Sequence, residues 1–247
     1  MNKTNEWFIN WFDSKYYHIL YKDRSQAEAN NFIKQLVNNL ILDPEKNVLD
    51  LGCGKGRHAN TLSKFFKTLE GIDISKESID FANKNKSSNQ NFHISDMRDF
   101  EMGKSYGYIF NLFTSFGYFE NLSDNLKVLN QCNKHLLKDG LLIIDFLNAK
   151  KILKSINNSN ETKTIDNVNF ELNKSIIDNY VVKKIKITDG EKAFNYQEKV
   201  QLFDLNNFIE MFKKTGFELI SSFGDYNMNS YSEGSSRLIL VAKKTNT

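Results

Sequence analysis

Three glycines at alternate positions, Gly52, Gly54 and Gly56, follow the apolar run Val48-Leu49-Asp50-Leu51, with Cys53 inside the turn they make. Glycine reaches positive φ without a Cβ penalty and lets a ligand approach the backbone closely. A helix that starts after such a turn presents unpaired N–H groups suited to a carboxylate or phosphate. Arg57 stands where a dinucleotide fingerprint places its third glycine. A second apolar run ends at Gly71-Ile72-Asp73-Ile74-Ser75, about twenty residues on, where a carboxylate can grip both hydroxyls of a ribose. A third, Asn91-Phe92-His93-Ile94, ends at Ser95-Asp96-Met97-Arg98-Asp99. The chemistry these residues suit is recognition of an anionic, nucleoside-like molecule, and the displaced third glycine argues against a nicotinamide cofactor.

This ordered set of strand-end acids around GxGxG resembles the class I S-adenosylmethionine-dependent methyltransferases, whose first strand ends in an acidic residue followed by that loop. The resemblance implies S-adenosyl-L-methionine as cofactor. It places Asp50 and the loop Gly52, Cys53, Gly54 and Gly56 at the methionine portion, Asp73 with the adjoining Ile74 at the ribose, and Asp96 with Met97 at the adenine. It also puts the end of the fourth strand beside the transferred methyl, with Asn111, Leu112 and Phe113 next to the cofactor and Ser115, Phe116 and Tyr118 toward the acceptor. A cation at a helix start gains nothing from the helix dipole, so Arg57 is expected to meet an anion: the cofactor carboxylate, Asp96 or Asp99.

A further aromatic cluster, Tyr16-Tyr17-His18-Ile19-Leu20-Tyr21, supplies Tyr17 and Tyr21 as candidate acceptor-lining residues. Arg24 and Arg237 are candidates for an acidic acceptor, with surface ion pairs as the simpler role; His18 is a candidate base or orienting donor with a surface or structural role as the simpler reading, and the helix position of His58 is a sufficient structural explanation for it. In-line displacement at a sulfonium needs alignment more than proton transfer, so no catalytic residue is assigned. The Asn111-Leu112-Phe113 stretch lacks the Asn/Asp-Pro-Pro-Tyr/Phe signature of methyltransferases acting on nucleic-acid bases, which favours a small-molecule acceptor and makes nucleic acid an unfavoured partner. An RNA-modifying methyltransferase and a non-catalytic cofactor-binding module remain the alternatives.

The elements that must position these residues follow a βαβ order. Ala29, Phe32, Ile33, Leu36, Val37 and Leu40 share one helical face in an N-terminal cap spanning 1–43. Strands are expected near 47–51, 68–73, 91–94, 107–113 and 141–147, with helices near 57–66, 76–86 and 123–138. After Asn148 the period changes to two, and the Asp189-Gly190 turn signals antiparallel hairpins, read as a three-strand lid within 151–204. The polar stretch 155–164 reads as a mobile loop. A helix over 205–214 and strands over 217–223 and 237–242 complete the core. The expectation is one α/β domain: a doubly wound, seven-strand Rossmann-like methyltransferase sheet with a cofactor-binding core over 44–150, a helical cap and a small antiparallel β insertion.

At 247 residues the chain can bury a sizeable core. Lys and Arg number 33 against 30 for Asp and Glu, a net charge of +3 that does not by itself imply a nucleic-acid partner. Cys53 and Cys132 form no metal-ligand or CxxC pattern, which fits a reducing, cytoplasmic compartment and no metal. No segment reaches the roughly eighteen apolar residues needed to span a bilayer, so no membrane association is expected. Nothing in the pattern reports oligomeric state.

Overall fold

The computed structural model describes residues 6–155 and 159–245. Its larger sheet runs in the order β3-β2-β1-β4-β5-β11-β10, formed by β1 (Val48–Leu51), β2 (Leu69–Asp73), β3 (Gln90–Ile94), β4 (Tyr106–Asn111), β5 (Leu136–Leu147), β10 (Phe217–Phe223) and β11 (Arg237–Lys244). All neighbours are parallel except β11, which runs antiparallel between β5 and β10. The chain reverses its winding between β1 and β4, so their carboxyl ends open a crevice, the usual ligand position in open α/β sheets. β1 and β4 are buried at every position, as central parallel strands must be when helices cover both faces. Asp50 sits in register with Gly71 of β2 and Phe110 of β4.

Leu49 and Leu51 join one apolar layer, with Val128 and Leu129 of α6 (Leu122–His135) and Phe208 and Phe212 of α8 (Leu205–Lys214). Val48 joins the opposite layer, with Phe32, Ile33 and Leu36 of α3 (Gln26–Leu40), Leu62 of α4 (Ala59–Leu62) and Ile79 of α5 (Lys76–Lys84). Ser25 caps α3 by accepting the Glu28 N–H at 3.1 Å, and Asp204 with Asn207 forms a capping box on α8.

The helix expected over 57–66 is only α4. Asn89 Nδ2 donates to the carbonyls of Ser63 (2.8 Å) and Phe66 (3.1 Å), and Phe66 turns into the core, so the chain leaves the helix there. The fourth strand likewise stops at Asn111, because Phe113 and Thr114 adopt positive φ of 57° and 63°.

The insertion has four strands, not three. After α7 (Ala149–Ser155), β6 (Ser159–Ile165), β7 (Val168–Ile177), β8 (Tyr180–Asp189) and β9 (Lys192–Gln201) form an antiparallel sheet in sequence order. The stretch read as a mobile loop therefore carries an edge strand from Ser159, with 156–158 outside the described residues. β6 lacks an apolar face but pairs along its whole length with β7 through the turn Asp166-Asn167, both at positive φ, and Asp178-Asn179 makes the same two-residue turn between β7 and β8. Trp11, Tyr16 and Leu20 of the cap, from α1 (Trp7–Phe12) and α2 (Lys15–Leu20), pack on Val168, Phe170, Leu172, Ile185 and Ile187 as a third apolar cluster. Among the described residues no helix is long and apolar enough to cross a membrane.

Candidate functional site

At the end of β1, the N–H groups of Gly52 and Cys53 both donate to the Ile72 carbonyl, at 2.8 and 3.0 Å, which ties the glycine loop to β2. Gly52 has φ 77°, and a Cβ there would sit 2.8 Å from that of Ser115, so the loop and the turn after β4 approach too closely for any side chain. The Gly54 N–H donates to Asp73 Oδ2 at 2.8 Å and the Ser75 N–H to Asp73 Oδ1 at 2.9 Å. Burial raises the Asp73 carboxyl above its ordinary range, against the lowering effect of these backbone donors. Asp50 is buried behind the loop with Oδ2 lacking a partner among the described residues, and burial together with the Asp73 charge pushes it up to about 7.

A cavity of about 830 Å³ opens above these groups, bounded by the sheet's carboxyl edge on one side and the cap and insertion on the other. Its lining brings together Gly52, Cys53, Gly54, Arg57, Asp73, Ile74, Asp96, Met97 and Phe113. The expected acceptor residues Tyr17, Tyr21, Ser115, Tyr118 and Arg237 line the same space. Asp50, Gly56, Asn111 and Leu112 lie behind the lining. Gly56 faces Phe92, Leu112 joins the apolar layer under α3, and Asn111 Nδ2 clasps the carbonyls of Leu51 (2.8 Å) and Ser115 (3.1 Å), stitching β1 to the turn after β4.

Three expectations are corrected. Phe116 does not face the cavity: it is 1% exposed, packed against Phe208 at 5.6 Å and near Phe146 and Phe203, because the chain reverses at Phe113 and Thr114 and points it into the core. Arg57 pairs with neither Asp96 nor Asp99. Arg98 engages Asp96 and forks onto Glu6 at 2.7 and 2.6 Å, Asp99 is exposed, and Arg57 instead donates to the Ser25 carbonyl at 3.0 Å. Arg237 is no surface arginine, since its Nε donates to the fully buried Asp145 at 2.7 Å and its Nη2 to Thr114 Oγ1 at 2.8 Å.

Both histidines read as structural border the cavity. Burial, reinforced by Arg57, Arg24 and Arg237, pulls His58 down to about 3, and burial near Lys55 pulls His18 down to about 4, so both rings are neutral at pH 7. Glu198 and Asp145 were not legible beforehand. Glu198 accepts from Trp11 Nε1 (2.9 Å), Tyr21 OH (2.5 Å) and Lys183 Nζ (2.7 Å), fastening the cap to the insertion over the cavity. Asp145 accepts the Phe113 N–H (2.9 Å) and Tyr226 OH (3.1 Å) and so holds the reversed turn. Each works through partners distant in sequence; Asp145 carried an advance signal as the one carboxylate in the apolar run 141–147, whereas Glu198 sits among the polar residues of β9 and carried none.

A family model described as a methyltransferase domain matches residues 24–222. A dTDP-3-amino-3,4,6-trideoxy-alpha-D-glucopyranose N,N-dimethyltransferase of Streptomyces venezuelae is 28% identical over 133 residues, covering 52% of this chain and 54% of that protein. The chain spans about half the length, or less, of the curated sugar and ubiquinone-pathway relatives it matches. An S-adenosylmethionine-dependent methyltransferase of Clostridium acetobutylicum superposes with a TM-score of 0.79 at 19% identity, over 94% of this chain and 96% of that one. The SAM-bound amino pentose methyltransferase CalS10 of Micromonospora echinaspora superposes with a TM-score of 0.70 at 18% identity, over 94% and 98%. With the match covering most of its length, and with the same fold as these solved structures, the chain belongs to the methyltransferase-domain family.

Proposed function

We propose that the protein transfers a methyl group from S-adenosyl-L-methionine to a small-molecule acceptor in this cavity. The observation that carries the reading is Asp73, fixed at the end of β2 by the N–H groups of Gly54 and Ser75, with oxygen lone pairs left for a pair of ribose hydroxyls at the cavity wall. The donor set fits the cofactor. The side-chain-free loop at Gly52 and Gly54 leaves room for the methionine portion, Asp50 lies behind it with Oδ2 lacking a partner among the described residues, and Met97 with Ile74 gives an apolar wall for the adenine.

S-adenosyl-L-methionine supplies an electrophilic methyl on a sulfonium, which leaves as a thioether when an acceptor lone pair forms the new bond. The chain's own contribution is alignment, exclusion of water and a polarised aromatic wall. Trp7, Phe12 and Tyr118 pack together at the cavity wall with no cation over them among the described residues, which suits a positively charged centre. The cap and insertion roof the space, as displacement in a water-poor site requires. An amine acceptor must arrive unprotonated, and neutral His18 and His58 at the wall leave that proton to solvent before binding. The relatives that methylate amino sugars make amines the first acceptor class to examine.

The test is incubation with S-adenosyl-L-methionine and a panel of small amines, amino sugars first, with phenols and carboxylates alongside, and detection of S-adenosylhomocysteine and methylated product by mass spectrometry. Acceptor-dependent product supports the reading. Cofactor binding with no turnover on any acceptor class would leave a binding module in its place.

A further inference from the structure

Side chains two residues apart on a strand share a face, so the register of β7, β8 and β9 sorts the inner face of the insertion into rows. Leu172, Ile185 and Tyr196 form one row, and Ile176, Val181 and Val200 form another. The first packs with the cap around Phe170, and the second packs on the apolar layer that contains Leu147. Between these two apolar rows runs an ionic one, Lys174, Lys183 and Glu198, directly opposite one another across the three strands, and all three line the cavity.

This row holds two cations against one anion. Glu198 has both oxygens engaged, Oε1 by Trp11 and Tyr21 and Oε2 by Lys183 at 2.7 Å. Lys174 is half-buried and makes no hydrogen bond or ion pair among the described residues. Glu161 on neighbouring β6 is itself paired with Lys163 at 3.0 Å. Like charges directly opposite on adjacent strands destabilise a sheet. Burial and the Lys183 charge accordingly pull Lys174 below the ordinary lysine range, against the opposite pull of Glu198 and Glu161. An ammonium in this setting calls for a counter-charge from within the cavity.

The position of the row separates it from the cofactor groups. Every residue assigned to the cofactor lies at or just after the ends of β1 to β4, and none belongs to the insertion. The insertion is tied instead to the turn after β4, where the Gln201 N–H donates to the Gly117 carbonyl at 2.8 Å and Tyr180 OH to the Glu120 carbonyl at 3.2 Å. The Val181 and Val200 row then continues into the layer of Leu147, at the end of β5, and Ile152 of α7. Lys174 therefore belongs to the roof on the β4 and β5 side of the cavity, facing away from the glycine loop's own support on β2.

We propose that Lys174 binds an oxyanion carried by the methyl acceptor, a carboxylate or a phosphate, whose adjoining apolar segment lies along Val181, Val200 and Ile152. The proposal rests on the methyl-transfer reading of the same cavity and names the acceptor's chemical class, a small acid with an apolar segment. Lys174 acts in binding, holding the acceptor from the roof and leaving its nucleophile free to reach the cofactor.

The test is calorimetric titration of the protein saturated with S-adenosylhomocysteine, using hexanoate, hexyl phosphate and uncharged 1-hexanol as probes, on the unsubstituted chain and on Lys174→Met and Lys174→Arg. At least one acid binds, the tighter of the two identifies the anion as carboxylate or phosphate, and 1-hexanol binds at least about tenfold more weakly. Lys174→Met weakens the acid by about tenfold or more, and Lys174→Arg leaves it within about threefold. S-adenosylhomocysteine affinity stays within about threefold in both variants. Without ligand, the Tm of Lys174→Met does not fall below that of the parent, because an unpaired and partly desolvated charge has been removed. Failure of both acids to bind, binding matched by 1-hexanol, or binding indifferent to Lys174→Met would overturn the proposal. A lowered Tm in Lys174→Met would overturn it by making the lysine structural, and a parallel loss of S-adenosylhomocysteine affinity by giving it to the cofactor. Failure of the unsubstituted protein to bind S-adenosylhomocysteine would defeat the methyl-transfer reading itself, and the proposal with it.

Discussion

Asp73 and Asp50 are two carboxylates near one glycine loop, and their surroundings give them different work. Asp73 has two backbone donors and an open side toward the cavity, so Asp73→Ala removes a charge-assisted pair of contacts worth roughly 1.5–3 kcal/mol and is expected to weaken S-adenosyl-L-methionine binding at least about tenfold. Unchanged affinity in calorimetry would remove Asp73 from the cofactor site. Asp50 is buried, and its native pKa of about 7 lies above the ordinary 3.8, so the folded state keeps a proton that the unfolded chain releases. The stabilisation from that proton is complete below about pH 4 and is lost as the pH rises to about 7. Asp50→Asn keeps the oxygen that accepts from the Ala59 backbone and cannot ionise, so without cofactor its Tm should exceed that of the parent at pH 8, with the gap closing toward pH 4. Parallel Tm profiles would show that Asp50 is not protonated in the fold. These strand-end acids were legible in the sequence because residue type and distance from the glycines specify them. The convergence of Arg24 and Arg57 on the Phe113 ring was not, because three segments meet only once the cap has folded over β4.

The cap and the insertion, far apart in sequence, act as one element. They share an apolar cluster around the fully buried Phe170, and their polar contacts cross from Trp11 and Tyr21 to Glu198, from Tyr16 and Lys15 to Asp189, and from Lys22 to Asp166. Phe170→Ala is therefore expected to cost about 3–5 kcal/mol of local stability, read as faster amide exchange in β7, β8, α1 and α2 together, with β1 and β4 less affected. Exchange that rises in the four-strand sheet alone would mean that the cap holds its place without it. The hairpins were legible from alternation and turn chemistry. The fourth strand was not, because β6 is an exposed edge whose residues do not alternate, and its signal lay in the Asp166-Asn167 turn. The shortened α4 escaped for a similar reason: the residue that ends it, Asn89, belongs to a different βα unit.

At the scale of the whole molecule, the alternation of strands and helices up to β5 was enough to read a parallel sheet, and the order β3-β2-β1-β4-β5-β11-β10 follows once the last hairpin adds β11 antiparallel. Within it the crevice at the ends of β1 and β4 is where an open sheet of this kind receives a ligand, and the cap-and-insertion element closes that crevice from above. Sheet and roof together make a cavity with Asp73 on one side and a cationic wall on the other. The most direct measurement of that account is calorimetric titration of the full chain with S-adenosyl-L-methionine and S-adenosylhomocysteine, with NADH as control. Saturable one-to-one binding of both methyl-cycle ligands, and none of NADH, is the predicted result. Binding of neither, or of NADH alone, would contradict it and return the glycine loop to a purely structural role or to another cofactor.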